Sequence, residues 1–213
     1  MKNNLIIISG PAASGKTTLI KELSKLYNAK YFRPSDSYLE LAKQKKIPLV
    51  SAFYKITRDE AEMYFCHVCK QHSWVIGDQH LAIQFARDSQ MATSNIVVED
   101  NGEEYSPSIS TAFIDNLRKD GINVLLILLK ADPQILFERA NRRFSEIGHP
   151  IRNKSAKEVK KEIEAELYYF DQLTRETGVE NLVIDTSSSS EHEIFIRALE
   201  KISDFEKKSQ ALL

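Results

Sequence analysis

The segment Gly10-Pro11-Ala12-Ala13-Ser14-Gly15-Lys16-Thr17 has the spacing G-x-x-x-x-G-K-[ST], in which every fixed position serves the capture of a polyphosphate. Glycine at 10 and 15 admits backbone angles and close approaches that a side chain would block, so successive N–H groups can converge on phosphate oxygens. A helix opening near Lys16 adds partial positive charge at the same end. Gly10, Ala12, Ala13, Ser14, Gly15, Lys16, Thr17 and Thr18 therefore form the expected nucleotide cradle, with Lys16 reaching the transferred phosphate and Thr17 offering its hydroxyl to magnesium. The context suits this reading, because the apolar run Leu5-Ile6-Ile7-Ile8 precedes the motif and Leu19, Leu23 and Leu26 share one helical face after it.

Phosphoryl transfer needs three further parts: a base beside the acceptor hydroxyl, an acid for magnesium, and cations over the migrating group. The run Lys30-Tyr31-Phe32-Arg33-Pro34-Ser35-Asp36 ends a strand, so Asp36 falls at the carboxyl edge of a parallel sheet, where ligands bind. Asp36 reads as that base, or else Ser35 or Asp36 caps the helix through Tyr38, Leu39 and Leu41. Arg33 stands beside it as a substrate contact. The run Ile96-Val97-Val98-Glu99-Asp100 reads as the third strand, giving Asp100 to magnesium and Glu99 to the acceptor. A competing reading makes Trp74-Val75-Ile76-Gly77-Asp78 the strand and Asp78 the acid; the later run is richer in β-branched residues. After the fourth strand, Arg139, Arg142 and Arg143 share the polar face of a helix whose apolar stripe holds Leu136, Ala140, Phe144 and Ile147. Arg139 and Arg143 are the expected catalytic cations, against the alternative of plain solvated surface, and Arg152 in the turn Gly148-His149-Pro150-Ile151-Arg152 is a further phosphate contact.

These residues must be carried by a scaffold. Strand-length apolar runs at 5–9, 30–33, 95–100, 122–130 and 181–185 alternate with stretches of helical period, the pattern of an α/β fold with a parallel sheet. Capping boxes at Thr57 to Glu60, Ser155 to Glu158 and Ser190 to Glu193 open helices. Pro133 behind Asp132 suits a first turn, and Gly121 a helix stop. The insert 48–92 supplies helices over the acceptor, on which His80, Gln84 and Arg87 share a face as acceptor contacts or as exposed surface. The stripe Val159, Ile163, Leu167, Phe170 reads as helix core with charged residues outside. Cys66 and Cys69, with His67 and His72 nearby, lack the second ligand pair of a zinc site and read as buried thiols.

Composition bounds the rest. At 213 residues, one domain spanning 1–213 buries roughly 70% of its extended surface. A net charge of -1 advertises no polyanionic partner. The longest apolar run is far short of a membrane span, and two cysteines without an export signal fit a reducing cytoplasm. A GTP switch is disfavoured, since Asn153-Lys154-Ser155-Ala156 lacks the aspartate of a guanine reader.

With the loop, Asp36, the Glu99-Asp100 pair and Leu136-Phe137-Glu138-Arg139 followed by Arg143 in view, the chain resembles the P-loop kinases of small substrates. The similarity is to the branch of zeta toxins, chloramphenicol phosphotransferase and polynucleotide 5'-kinases. It implies a three-layer P-loop fold with strand order 2-3-1-4-5, ATP (or GTP) with Mg2+, a lid over 139–154, and a small-molecule hydroxyl as acceptor. By position, Asp36 is similar to the family's base, Asp100 to its magnesium-linked acid, and Arg139 and Arg143 to its lid arginines. Leu39 replaces the arginine of polynucleotide kinases, which disfavours a nucleic-acid end. The acids of Asp100-Asn101-Gly102-Glu103-Glu104 favour a neutral or cationic acceptor. A nucleoside or nucleoside monophosphate kinase is the alternative within enzymes, and a nucleotide-sensing module without transfer the alternative outside them. The expected particle is a monomer or homodimer.

Overall fold

Leu5, Ile6, Ile7 and Ile8 are all fully buried, so the first strand is covered on both faces. That is the signature of a central parallel strand rather than a half-solvated antiparallel one. In the computed structural model, which describes residues 3–48, 51–78, 111–147 and 155–211, this strand is the middle of a five-stranded sheet. The strands are β1 (Asn4–Ser9), β2 (Lys30–Phe32), β3 (Trp74–Asp78), β4 (Asn123–Lys130) and β5 (Glu180–Asp185), in the order β2-β3-β1-β4-β5. All pairings are parallel. The described helices are α1 (Lys16–Leu26), α2 (Pro34–Gln44), α3 (Ala52–Lys55), α4 (Arg58–Gln71), α5 (Ala112–Lys119), α6 (Pro133–Ile147), α7 (Ala156–Thr177) and α8 (Glu191–Ala211).

The two-residue alternation of the strands sorts the core into two layers. Leu5, Ile7, Val75, Leu126 and Leu128 face α4, α5 and α7, where Phe65, Phe113, Tyr169 and Leu173 pack. Ile6, Ile8, Ile76, Leu125 and Ile127 face α1 and α8, meeting Leu19, Leu23, Ala198 and Ile202. The expected three-layer α/β architecture and its strand order are therefore present. Helix ends follow the sequence signals: Thr57 Oγ1 accepts the Glu60 N–H at 3.2 Å while Glu60 accepts the Thr57 N–H at 3.0 Å, and the boxes at Ser155 and Ser190 close in the same way. Asp132 Oδ1 accepts the Gln134 N–H at 2.8 Å in the turn that places Pro133 first in α6. Gly121, at φ 72°, ends α5.

The third strand corrects the sequence reading. Trp74–Asp78 pairs with β1 on one side and β2 on the other, so the slot assigned to 95–100 is already filled. Residues 95–100 lie outside the described residues, as do 79–92. The insert 48–92 consequently does not run between the second and third strands as one piece: α3 and α4 precede β3, and β3 lies within those bounds. Glycine in the strand interior misdirects the propensity argument, and packing explains the glycine. A β-carbon at Gly77 would lie 3.2 Å from Phe65 Cζ. Phe65 is itself stacked against Phe32 and Phe113, at centroid distances of 4.9 and 5.5 Å.

Both cysteines sit on α4 as free, buried thiols. Burial, with the Asp120 charge second, pushes the Cys66 thiol up to about 12, and burial likewise raises that of Cys69. Neither is poised as a thiolate. Two expectations follow. Gly77→Val gains β-propensity of up to about 1 kcal/mol yet forces branched methyls into Phe65, so overpacking of about 1–3 kcal/mol should win. Urea denaturation should show lower stability; a more stable variant contradicts this packing. In native protein at pH 8, a colourimetric thiol reagent should modify neither cysteine until denaturant is added.

Candidate active site

β1 pairs with β4 as far as Ser9 opposite Leu128, and the chain then turns through Gly10 at φ 142°. A β-carbon there would lie 2.2 Å from the Leu129 carbonyl oxygen and 2.9 Å from Ser14 Oγ, so only glycine fits the turn. Ala13 and Gly15 are also left-handed, at φ 63° and 98°, which curls the loop back on itself. α1 then begins at Lys16 with Gly15 as N-cap and no capping side chain. Its first-turn amides thus have no N-cap side chain, and they lie at the positive end of the helix dipole. The Lys16 ammonium donates to the carbonyl oxygens of Gly10 and Pro11, at 2.6 and 2.9 Å, and so lies folded over the loop.

A residue that sequence reasoning missed grips this loop from behind. The Gly10 N–H donates to Glu166 Oε1 at 2.7 Å, and Glu166, on α7, is 1% exposed. Glu162 on the same helix is also buried. The expectation that α7 keeps its charges outside is therefore wrong for these two. The signal was available: position 166 is three after Ile163 and four before Phe170, within the apolar stripe.

At the carboxyl edge beside the loop, β2 and β3 bring four polar residues together. Tyr31 Oη donates to Asp78 Oδ2 at 3.2 Å. Burial, followed by the Asp78 charge, pushes the Tyr31 phenol up to about 12, so it remains a neutral donor at ordinary pH. The Arg33 N–H donates to Asp36 Oδ2 at 2.8 Å and the Arg33 guanidinium to Asp36 Oδ1 at 3.2 Å. Asp36 thus serves as the capping carboxylate of α2 in this state, the second of the two roles its position allows. The hydrogen bond to Asp36, then its charge, raises the Arg33 pKa further.

Arg139, an expected catalytic cation, is engaged at the turn after β5. Its guanidinium donates to the Thr186 carbonyl oxygen at 2.7 Å and to Thr186 Oγ1 at 3.2 Å, anchoring α6 to the turn after β5. Arg142 is exposed and Arg143 follows it on α6. A cleft of about 210 Å³ opens from Gly15 between α1 and α8, lined by Thr18, Leu19, Glu22, His192, Ile194 and Phe195. His80, Arg87, Glu99 and Asp100 lie outside the described residues, and so does Arg152. The ground for giving the magnesium role to Asp100 was its place at the end of the third strand, and that place belongs to Asp78.

A family model described as an AAA domain matches residues 6–161, well over half of the chain. The chain belongs to that AAA-domain family. No curated protein matches the sequence. Among solved structures, the AAA-domain chain is similar to the YorR protein of Bacillus subtilis in complex with phosphorylated GDP, at 19% identity and TM-score 0.58, over 93% of this chain and 95% of that one. It is also similar to deoxyadenosine kinase from M. mycoides with bound dCTP, at 14% identity and TM-score 0.54, over 94% and 99%. A third likeness is to shikimate kinase from Acinetobacter baumannii in complex with shikimate, at 16% identity and TM-score 0.50, over 96% and 94%. The shared fold is that of the P-loop kinases.

The donor set of this AAA domain fits magnesium. Thr17 on the first turn of α1 and Asp78 at the end of β3 are hard oxygen donors, and Mg2+ commonly takes one or two protein oxygens with water and phosphate completing its shell. Among the described residues no cluster of three or more His, Cys, Asp or Glu could hold a metal. Gly10→Ala tests the cradle. It should abolish nucleotide binding by calorimetry, since the Leu129 backbone cannot yield. Gly15→Ala meets open space and adds only left-handed strain of about 1–3 kcal/mol, so it should fold while binding more weakly. Unchanged binding by Gly10→Ala contradicts the loop geometry.

Proposed function

We propose that this protein is a magnesium-dependent kinase that transfers the γ-phosphoryl group of ATP to a hydroxyl of a small-molecule acceptor. The observation that carries the reading is the loop from Gly10 to Thr17, with its left-handed turns and uncapped helix start, facing carboxylates across the same sheet edge. In this reading the loop amides and Lys16 hold the triphosphate. Lys16 exchanges the Gly10 and Pro11 carbonyls for phosphate oxygens, so its charge follows the migrating group. Thr17 and Asp78 would hold the magnesium, which when bound would neutralise phosphate charge. The cleft between α1 and α8 begins at Gly15 and takes the base of the nucleotide. GTP is the alternative donor.

Asp36 stands as the acceptor's base. To act, its carboxylate releases Arg33 and turns to the acceptor hydroxyl, and the freed guanidinium meets the phosphoryl group. The lid reading of 139–154, with Arg143 as its second cation, completes the site. A nucleoside or nucleoside monophosphate is the alternative acceptor, favoured by Arg33 at the acceptor edge and by relatives whose structures contain dCTP and phosphorylated GDP. A cytoplasmic setting is consistent with this substrate class.

The direct assay incubates protein, magnesium-ATP and a metabolite extract, then uses mass spectrometry to find products heavier by one phosphoryl group. Lys16→Ala should abolish transfer with the fold intact. Asp36→Asn separates base from cap, because an amide oxygen still accepts the Arg33 N–H but cannot take a proton. It should retain ATP binding while kcat falls by about 10² or more. Normal turnover by Asp36→Asn removes Asp36 from the chemistry. Tight ATP binding with no turnover on any acceptor favours a nucleotide sensor instead.

A further inference from the structure

Gly10 is held by two charged groups at once. Its N–H donates to the buried Glu166 carboxylate at 2.7 Å, while its carbonyl accepts from the Lys16 ammonium at 2.6 Å. A carboxylate within hydrogen-bonding reach of a loop built for anions is electrostatically adverse to nucleotide affinity, and its burial is costly. A hydrophobic residue at 166 would extend the α7 stripe at no such cost. The compensation lies in what Glu166 touches. β1 has left its ladder at Ser9, so the Gly10 amide has no strand partner, and an unpaired buried amide is itself unfavourable. The same helix reaches the loop a second time: Ala13, at φ 63°, packs in a cluster with Val159, Ile163, Leu167 and Leu136.

We propose that Glu166 is a positioning residue for the donor phosphates, holding the first glycine of the loop in its anion-receptive turn while Lys16 changes partners. The inference rests on the kinase reading above. In the state described, Lys16 contributes to fixing the loop by bridging Gly10 and Pro11. Once the ammonium moves to a phosphate, that bridge is gone. The hydrogen bond from Gly10 to Glu166 and the Ala13 contacts remain, so the loop does not relax at the moment its amides are needed. Charge-assisted hydrogen bonds to carboxylates are short and strong, which suits one contact to this task.

The proposal makes a rescue prediction that packing alone does not. Glu166→Gln keeps an oxygen acceptor of the same reach and should bind magnesium-ADP within about threefold of wild type. Glu166→Ala leaves the amide unpaired and should bind about tenfold to a hundredfold more weakly. In steady-state assays the KM for ATP should rise in Glu166→Ala, with the acceptor KM unchanged. Calorimetry on the full chain reads the affinities, and melting curves check folding. Should Glu166→Ala fail to fold, the wild-type protein still decides: its Gly10 amide proton should resonate far downfield, exchange slowly, and keep its shift when magnesium-ADP is added. Glu166→Ala binding as tightly as wild type, Glu166→Gln binding as weakly as Glu166→Ala, or a fast-exchanging Gly10 amide overturns the proposal. Wild type that binds neither ADP nor ATP overturns the kinase reading together with it, whereas the first three outcomes leave that reading standing.

Discussion

Everything at this site depends on one reversal of the backbone. The chain leaves the central strand at Gly10, in a conformation and a space that only glycine can occupy, because the Leu129 carbonyl sits where a side chain would begin. From there, two more left-handed residues lead into the start of α1, whose N-cap is the glycine at 15. The loop is tied to the core through the strand that leads into it. β1 is clamped between β3 and β4, and each face of these strands is covered by a buried aliphatic layer. The anion site is thus organised before any anion arrives, which is where electrostatic preorganisation draws its strength.

Charge is arranged in opposition across the edge. Lys16 and the helix dipole are on one side, and Asp36 and Asp78 on the other. Left bare, those carboxylates would repel a triphosphate. Each is instead engaged, Asp78 by the Tyr31 hydroxyl and Asp36 by Arg33. These contacts are partly exposed, so they are exchangeable at modest cost. Glu166 differs in being buried, and its bond to Gly10 belongs to the scaffold more than to the exchange.

How much of this was legible in the sequence follows from the range of the interactions involved. The loop is written in contiguous residues, since its glycines, lysine and threonine act through local backbone geometry. The capping boxes are equally local, and all three close as expected. The dual reading of Asp36 was also local, and the capping alternative is the one seen in this state. The third strand failed because Gly77 lowers strand propensity for a reason set elsewhere in the chain, namely the ring of Phe65. With that strand went the choice between Asp78 and Asp100. Glu166 was hidden more deeply: it lies 156 residues from the amide it holds, and a glutamate on a charged helix reads as surface until the fold brings Gly10 to it.

The most direct test is to follow the backbone amide resonances of the protein as magnesium-ATP is added. The amides of residues 13–17 should shift together and saturably, those of the core strands should stay in place, and Lys16→Ala should suppress the response. Shifts confined to other surfaces, with residues 13–17 unmoved at millimolar nucleotide, would contradict a loop built to hold phosphate.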